Sequence, residues 1–173
     1  IKTSAKSGLN VESAFKSLIN FVIKRDNSTS VMERKKILII CTHNSARSQM
    51  AEGLINTLYN DKFEAYSAGT EVSEVRQQAV KVMKEIGIDI SHHYSKHMKD
   101  FYGTKFDLAI TVCDNAKKIC PVFPGAKQNL HKAFPDPSAI KGTEEEKLTG
   151  FRKVRDQIHQ WIKEELIPSL NNI

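Results

Sequence analysis

The chain is poor in the features that would place it in a special class. Only three of its 173 residues are cysteine. That odd, small number builds no disulfide framework and suits a reducing cytosol, so these thiols matter through reactivity if they matter at all. No apolar run approaches the roughly 20 residues that span a bilayer; the longest are short, such as Ile37-Leu38-Ile39-Ile40-Cys41. The apolar core and small-residue cleavage site of a secretory signal are missing from the N-terminus. Charge is not lopsided either: 26 basic against 20 acidic side chains leave a net +6, which does not demand nucleic acid. There is no internal repeat, and no GxxxxGK[ST] phosphate loop occurs. What remains is 40% apolar and 27% charged, the composition of a globular protein. At roughly 150 residues per domain, the length allows one domain and a remainder.

The polar cluster Asp26-Asn27-Ser28-Thr29-Ser30-Val31 reads as a linker. Met32 follows it and could be the native start of a self-contained domain, 32–173, while the opening on Ile1 leads us to expect missing upstream sequence. Within 32–173, β-branched apolar runs at 37–41, 63–68, 107–112 and 128–134 predict strands. Helix-period segments fall between them at 48–59, 75–86 and 143–166, the last ending before Pro168. This alternation predicts an α/β fold, a small doubly wound four-stranded parallel sheet flanked by helices. In such sheets ligands bind at the carboxyl ends of the strands.

The turn after the first strand reads Cys41-Thr42-His43-Asn44-Ser45-Ala46-Arg47-Ser48. Loop N–H groups at a helix N-terminus converge on an anion, and Arg47 can bind two oxyanion oxygens at once. The same field predicts a Cys41 thiolate at neutral pH, because cysteines in such places titrate at about 3.5–7.5. Ser48 can donate to the sulfur, and Asn44 tolerates the left-handed backbone a tight loop needs. Thr42, His43, Asn44, Ser45, Ala46 and Arg47 form the expected oxyanion cradle, and Asp136, in Phe134-Pro135-Asp136-Pro137, is the expected general acid. A second strand end carries Cys113 and, seven residues on, Cys120. Seven residues of α-helix span about 10.5 Å, beyond the roughly 6.8 Å limit between disulfide-bonded Cα atoms, so a Cys113–Cys120 bond would require this segment to unwind.

The Cys41–Ser48 loop, followed by Gln49-Met50-Ala51-Glu52-Gly53 and later Tyr66-Ser67-Ala68-Gly69, resembles the low-molecular-weight tyrosine phosphatase fold family, and in particular its arsenate reductase branch, over about 35–170. The resemblance implies reduction of arsenate to arsenite by a relay of Cys41, Cys113 and Cys120. A Cys113–Cys120 disulfide would close on a rearranging segment and be reduced by thioredoxin or a similar dithiol in the cytoplasm. It implies no cofactor beyond that reductant. Many family members bind potassium near the loop, and Asn44, Glu52 and Ser67 match three of its ligands; Lys96 falls where an acidic fourth is expected, so its ammonium is expected to take the cation's place. Two alternatives stay open. One is a phosphatase acting on phosphate monoesters. The other is a non-catalytic oxyanion or redox sensor linked to a GTPase, because residues 1–25, with Thr3-Ser4-Ala5-Lys6 and an amphipathic helix bearing Val11, Ala14, Phe15, Leu18 and Val22, resemble the C-terminal end of a Ras-like small GTPase. An upstream GTPase domain in the parent protein, or a remnant at a gene boundary, would explain that segment.

Three further groups have plainer readings. His92, His93 and His97 are expected in a solvated loop, not around a metal, since zinc wants further Cys or His in closed geometry. Glu144-Glu145-Glu146 suits the N-terminal end of a helix dipole, and Trp161 is expected in the core.

Overall fold

A computed structural model describes residues 33–171, and the expectations for 1–25, for the linker 26–31 and for a start at Met32 lie outside the described residues. The elements are β1 (Lys35–Cys41), α1 (Arg47–Leu58), β2 (Phe63–Gly69), α2 (Gln77–Glu85), β3 (Phe106–Thr111), α3 (Asp114–Ile119), β4 (Ala126–His131), α4 (Glu144–Trp161) and α5 (Ile167–Asn171). Short 3-10 turns stand at Met98–Phe101 and Pro137–Ala139. The four strands are parallel in the order β2-β1-β3-β4, which is the expected doubly wound sheet.

β1 lies at the centre, with Ile37, Leu38, Ile39 and Ile40 all at most 1% exposed. A strand covered on both faces reads as an unbroken apolar run, and each such aliphatic side chain contributes about 1.5–3 kcal/mol by leaving water. β4 is an edge strand whose central residues are exposed. Its weak apolar pattern is why it runs 126–131 and not 128–134: nothing on its outer side selects a register. A cluster of Tyr66, Phe101, Phe106 and Phe123, ring centres 5.7–5.9 Å apart, closes the sheet away from the loop that follows β1.

The last helix departs from expectation. It does not stop before Pro168; α4 passes into a π-helical turn, Ile162–Leu166, and then into α5, which has Pro168 in its first turn. Proline is tolerated there because the N–H it lacks would have had no partner within that helix, and the widened turn clears the backbone from its ring. The start of α4 is capped: Thr143 accepts from the Glu146 N–H, and Glu146 accepts in return from the Thr143 backbone. Trp161 is buried, edge-on to Phe134 with ring centres 5.6 Å apart.

In the order β2-β1-β3-β4 the winding reverses between β1 and β3, and a crevice opens there at the carboxyl ends. Cys41 is the last residue of β1 and Cys113 lies two residues past the end of β3. The topology alone therefore brings the two thiols to one edge. Among the described residues no helix is long and apolar enough to cross a membrane.

Candidate active site

Between β1 and α1 the chain turns through residues 42–46, and Asn44 takes φ 48° there, the only positive φ outside glycine among the described residues. That conformation costs a residue with a side chain about 1–2 kcal/mol, and the surroundings hold it in place. The Asn44 side-chain amide donates to Ser48 Oγ at 2.9 Å and to Ser67 Oγ at 2.8 Å, while its Oδ1 accepts from the Lys96 N–H at 2.8 Å and from Gln49 Nε2 at 3.0 Å. Gln49 also donates to the Asn44 and Tyr94 carbonyls, and its own Oε1 accepts from His93 Nδ1 at 2.9 Å. Gly69, paired with Cys41 across the sheet, lets the loop come this close: a Cβ there would stand 2.8 Å from the Thr42 carbonyl and 2.1 Å from that of Glu71.

Cys41 Sγ is met by Ser48 Oγ at 2.9 Å and by the Asn44 N–H at 3.1 Å. α1 begins at Arg47 with no side-chain cap and no acidic residue in its first turn, so its first N–H groups are left for an anion. A cavity of about 230 Å³ opens at the sulfur, lined by Cys41, His43, Ser45, Ala46, Arg47 and Asp136 and also by Arg76, Ser138 and Ala139. Thr42 and Asn44, expected in the cradle, do not line it. Asn44 buttresses the loop from beneath, and the Thr42 hydroxyl turns to Cys113 Sγ, 3.3 Å away. His43 is exposed and pairs with Glu71 at 3.2 Å.

Arg47 and Asp136 face each other at 3.4 Å, and Arg47 also donates to the Phe134 carbonyl at 3.1 Å. Asp136 is held in turn by the Ser138 N–H at 3.0 Å. This geometry corrects the expectation of a low thiol pKa. Burial pushes the Cys41 thiol above its ordinary value, outweighing Ser48, the Asn44 N–H and Arg47, which pull it down. The sequence motif displays the donors but not the depth of the sulfur, and part of the Arg47 charge is answered by Asp136.

Cys113 and Cys120 bracket α3 as its flanking residues, and all three cysteines are buried and free. Cys120 Sγ lies 3.6 Å from the Val122 carbonyl, and burial raises its pKa too. Close to it in the chain, Ile119 and Val122 are 57% and 65% exposed.

Beneath the loop, Lys96 Nζ stands 3.2 Å and 3.3 Å from the two Glu52 carboxylate oxygens, and Ser67 donates to the same carboxylate. Asn44, Glu52, Ser67 and Lys96 are thus one hydrogen-bonded group. The histidine trio is less uniformly solvated than expected. His93 is half-buried against Gln49, with burial lowering its pKa, and His97 caps the turn at Met98–Phe101 by accepting from the Lys99 N–H at 3.0 Å. Among the described residues no cluster of His, Cys, Asp or Glu is arranged to hold a metal. Gln49, His93 and Arg76 are the site residues that sequence reasoning missed; only the position of Gln49 directly after the Cys-x5-Arg-Ser motif pointed to any of them.

A doubly wound sheet that presents a buried cysteine under a ring of amides and an arginine defines a protein for thiol chemistry on a tetrahedral oxyanion. Residues 36–172 match the model of the low molecular weight phosphotyrosine protein phosphatase family, and the chain belongs to that family. Among its relatives, an arsenate reductase of Halalkalibacterium halodurans is 46% identical over 132 residues, 76% of this chain and 95% of that protein. The arsenate reductase of Bacillus subtilis is 44% identical over 133 residues, 77% of this chain and 96% of the relative. Among solved structures, an arsenate reductase in a phosphate-binding state superposes with a TM-score of 0.67 at 31% identity, covering 78% of this chain and 98% of the other. A low molecular weight protein tyrosine phosphatase from T. tengcongensis superposes with a TM-score of 0.65 at 26% identity, covering 78% and 99%.

Proposed function

We propose that this protein reduces arsenate to arsenite with a three-thiol relay. Cys41, its proton passing to the bound arsenate dianion, attacks arsenic as the thiolate, the amides of residues 43–47 and the Arg47 guanidinium hold the oxyanion, and Asp136 protonates the departing hydroxide, which leaves as water. Cys113 then attacks Cys41 Sγ. The S–As bond breaks, its electron pair stays on arsenic, arsenite leaves, and a Cys41–Cys113 disulfide remains. Cys120 attacks Cys113 Sγ, frees Cys41 and leaves a Cys113–Cys120 disulfide, which a thioredoxin-like dithiol reduces by thiol–disulfide exchange.

The observation that carries this reading is the position of Cys113, 3.3 Å from a residue of the oxyanion loop, with Cys120 at the far end of the same short helix. Hydrolysis of a phosphate ester uses Cys41, Arg47 and Asp136 and has no need of either. The names of the relatives support the same choice of substrate. We read Lys96 as the resident cation of the group beneath the loop. With Ser67 and an ammonium already on the Glu52 carboxylate, the donor set does not fit a potassium ion, and no step needs one.

Turnover with arsenate and thioredoxin tests the proposal, beside hydrolysis of p-nitrophenyl phosphate. Cys113→Ser should abolish the first and spare the second, and Cys120→Ser should accumulate a Cys41–Cys113 disulfide detectable by mass spectrometry. Undiminished thioredoxin-coupled turnover by Cys113→Ser would overturn the relay and leave the phosphatase as the better reading.

A further inference from the structure

Arg47 is not the only guanidinium at the cavity. Arg76, an exposed residue, lines the same space as Cys41, Arg47 and Asp136. The two arginines differ in how their charge is answered. Arg47 is largely buried and holds the Asp136 carboxylate and the Phe134 carbonyl. The Arg76 side chain is exposed and has no ion-pair or hydrogen-bond partner among the described residues. Its backbone is nevertheless fixed to the oxyanion loop, for the Arg76 N–H donates to the Ser45 carbonyl at 2.9 Å. An exposed guanidinium without a partner among the described residues is therefore held by its own main chain beside the oxyanion loop.

Its local setting is electrostatically unfavourable until an anion arrives. Arg76 is the residue that precedes α2, a helix with no acidic residue in its first turn and no side-chain cap, so a positive side chain sits at the positive end of a helix. Of the acidic side chains nearby, Glu71 pairs with His43 and Glu144 with Gln78 and Lys81, while Glu74, two residues before Arg76, lines a different hollow beside Val72 and His93 and not the cavity above Cys41. The small neighbouring space shared by Arg76 and Ser138 also contains Lys147 and no acid. Positive charge thus extends outward from Arg47 along one side of the opening.

We propose that Arg76 is a second substrate-binding arginine, which captures a tetrahedral dianion at the mouth and releases it to the loop amides and Arg47 as the anion displaces Asp136. The inference rests on the arsenate reading for the identity of the substrate, but the group it recognises is charge, not arsenic. Arsenate and phosphate carry the same charge in the same shape, so Arg76 raises affinity for both alike and leaves discrimination to the thiol chemistry. It acts before the chemical step and therefore on KM, not on kcat.

Arg76→Gln and Arg76→Lys test this, since an exposed side chain can be exchanged while its N–H keeps the Ser45 bond. In the full chain at low salt, Arg76→Gln should raise the KM for arsenate about 5-fold, the equivalent of about 1 kcal/mol. Inorganic phosphate, titrated calorimetrically into the reduced protein, should weaken by the same factor. kcat should stay within about 2-fold, Arg76→Lys should recover most of the loss, and the difference should shrink at high ionic strength as screening removes it. Unchanged phosphate affinity in Arg76→Gln overturns the proposal, as does a fall in kcat with KM unmoved. Because calorimetry needs no turnover, a wild-type protein that failed to reduce arsenate would refute the reductase reading while the phosphate titration still judged Arg76.

Discussion

Replacing Ser48 by alanine isolates the group that most directly lowers the Cys41 pKa against burial. Ser48 Oγ lies 2.9 Å from the sulfur and accepts from Asn44 Nδ2 at 2.9 Å, which leaves its own hydrogen free to point at the thiolate. A hydrogen bond to a charged group contributes about 1.5–3 kcal/mol, and 1.36 kcal/mol corresponds to about one pKa unit. The Cys41 pKa should therefore rise by about 1–2 units in Ser48→Ala. The loop should keep its shape, because Asn44 Nδ2 retains Ser67 Oγ at 2.8 Å and Oδ1 retains both of its donors. The assay is the pH dependence of alkylation by iodoacetamide, in a protein with Cys113 and Cys120 replaced by serine so that Cys41 is the sole thiol. Below the midpoint the rate should fall about 10- to 100-fold, following the thiolate fraction. A midpoint that does not move, or that falls, would refute the assignment of Ser48 as the tuning donor and leave the Asn44 N–H and Arg47 as the effective groups.

Two other outcomes follow from buried charge. Lys96→Met leaves the Glu52 carboxylate nearly buried with no cation, its side chain being 11% exposed; breaking such a pair should cost about 3 kcal/mol of stability, the low end of the range for a fully buried pair. Potassium should restore part of the loss in the variant and do little for the wild type; thermal melts in potassium chloride and choline chloride compare the two, and equal losses in both salts would contradict the reading of Lys96. The second outcome concerns alkaline pH. Burial raises the folded-state pKa of Cys41 and Cys120, so each ionises more readily when unfolded. Their contribution to stability is complete below the ordinary thiol pKa, about 8.5, and is lost as pH rises from there through the raised folded-state pKa. Denaturant melts from neutral to alkaline pH should show that decline, and Cys120→Ala should flatten it; an identical slope would exclude Cys120 as a contributor.

Much of this could be read from local pattern. The apolar run before Cys41 marks a strand buried on both faces, and the Cys-x5-Arg-Ser loop sets amides, thiol, hydroxyl and guanidinium within one turn of chain. Their chemistry therefore depends on contacts a few residues apart. The alternation of runs fixed the sheet and its parallel sense for the same reason. Where a pattern had no partner to enforce it, as on the outer side of β4 or at the π-helical turn before Pro168, the boundaries were missed.

The tertiary structure alone decided whatever depends on residues far apart in the chain. It set Cys113 against Thr42 by reversing the winding between β1 and β3. It also buried Cys41 deeply enough to reverse the expected direction of its pKa, because desolvation is a property of everything packed around an atom and not of its neighbours in sequence. Arg76, silent in the sequence, reached the rim of the cavity only because its backbone is tied to Ser45, 31 residues away along the chain.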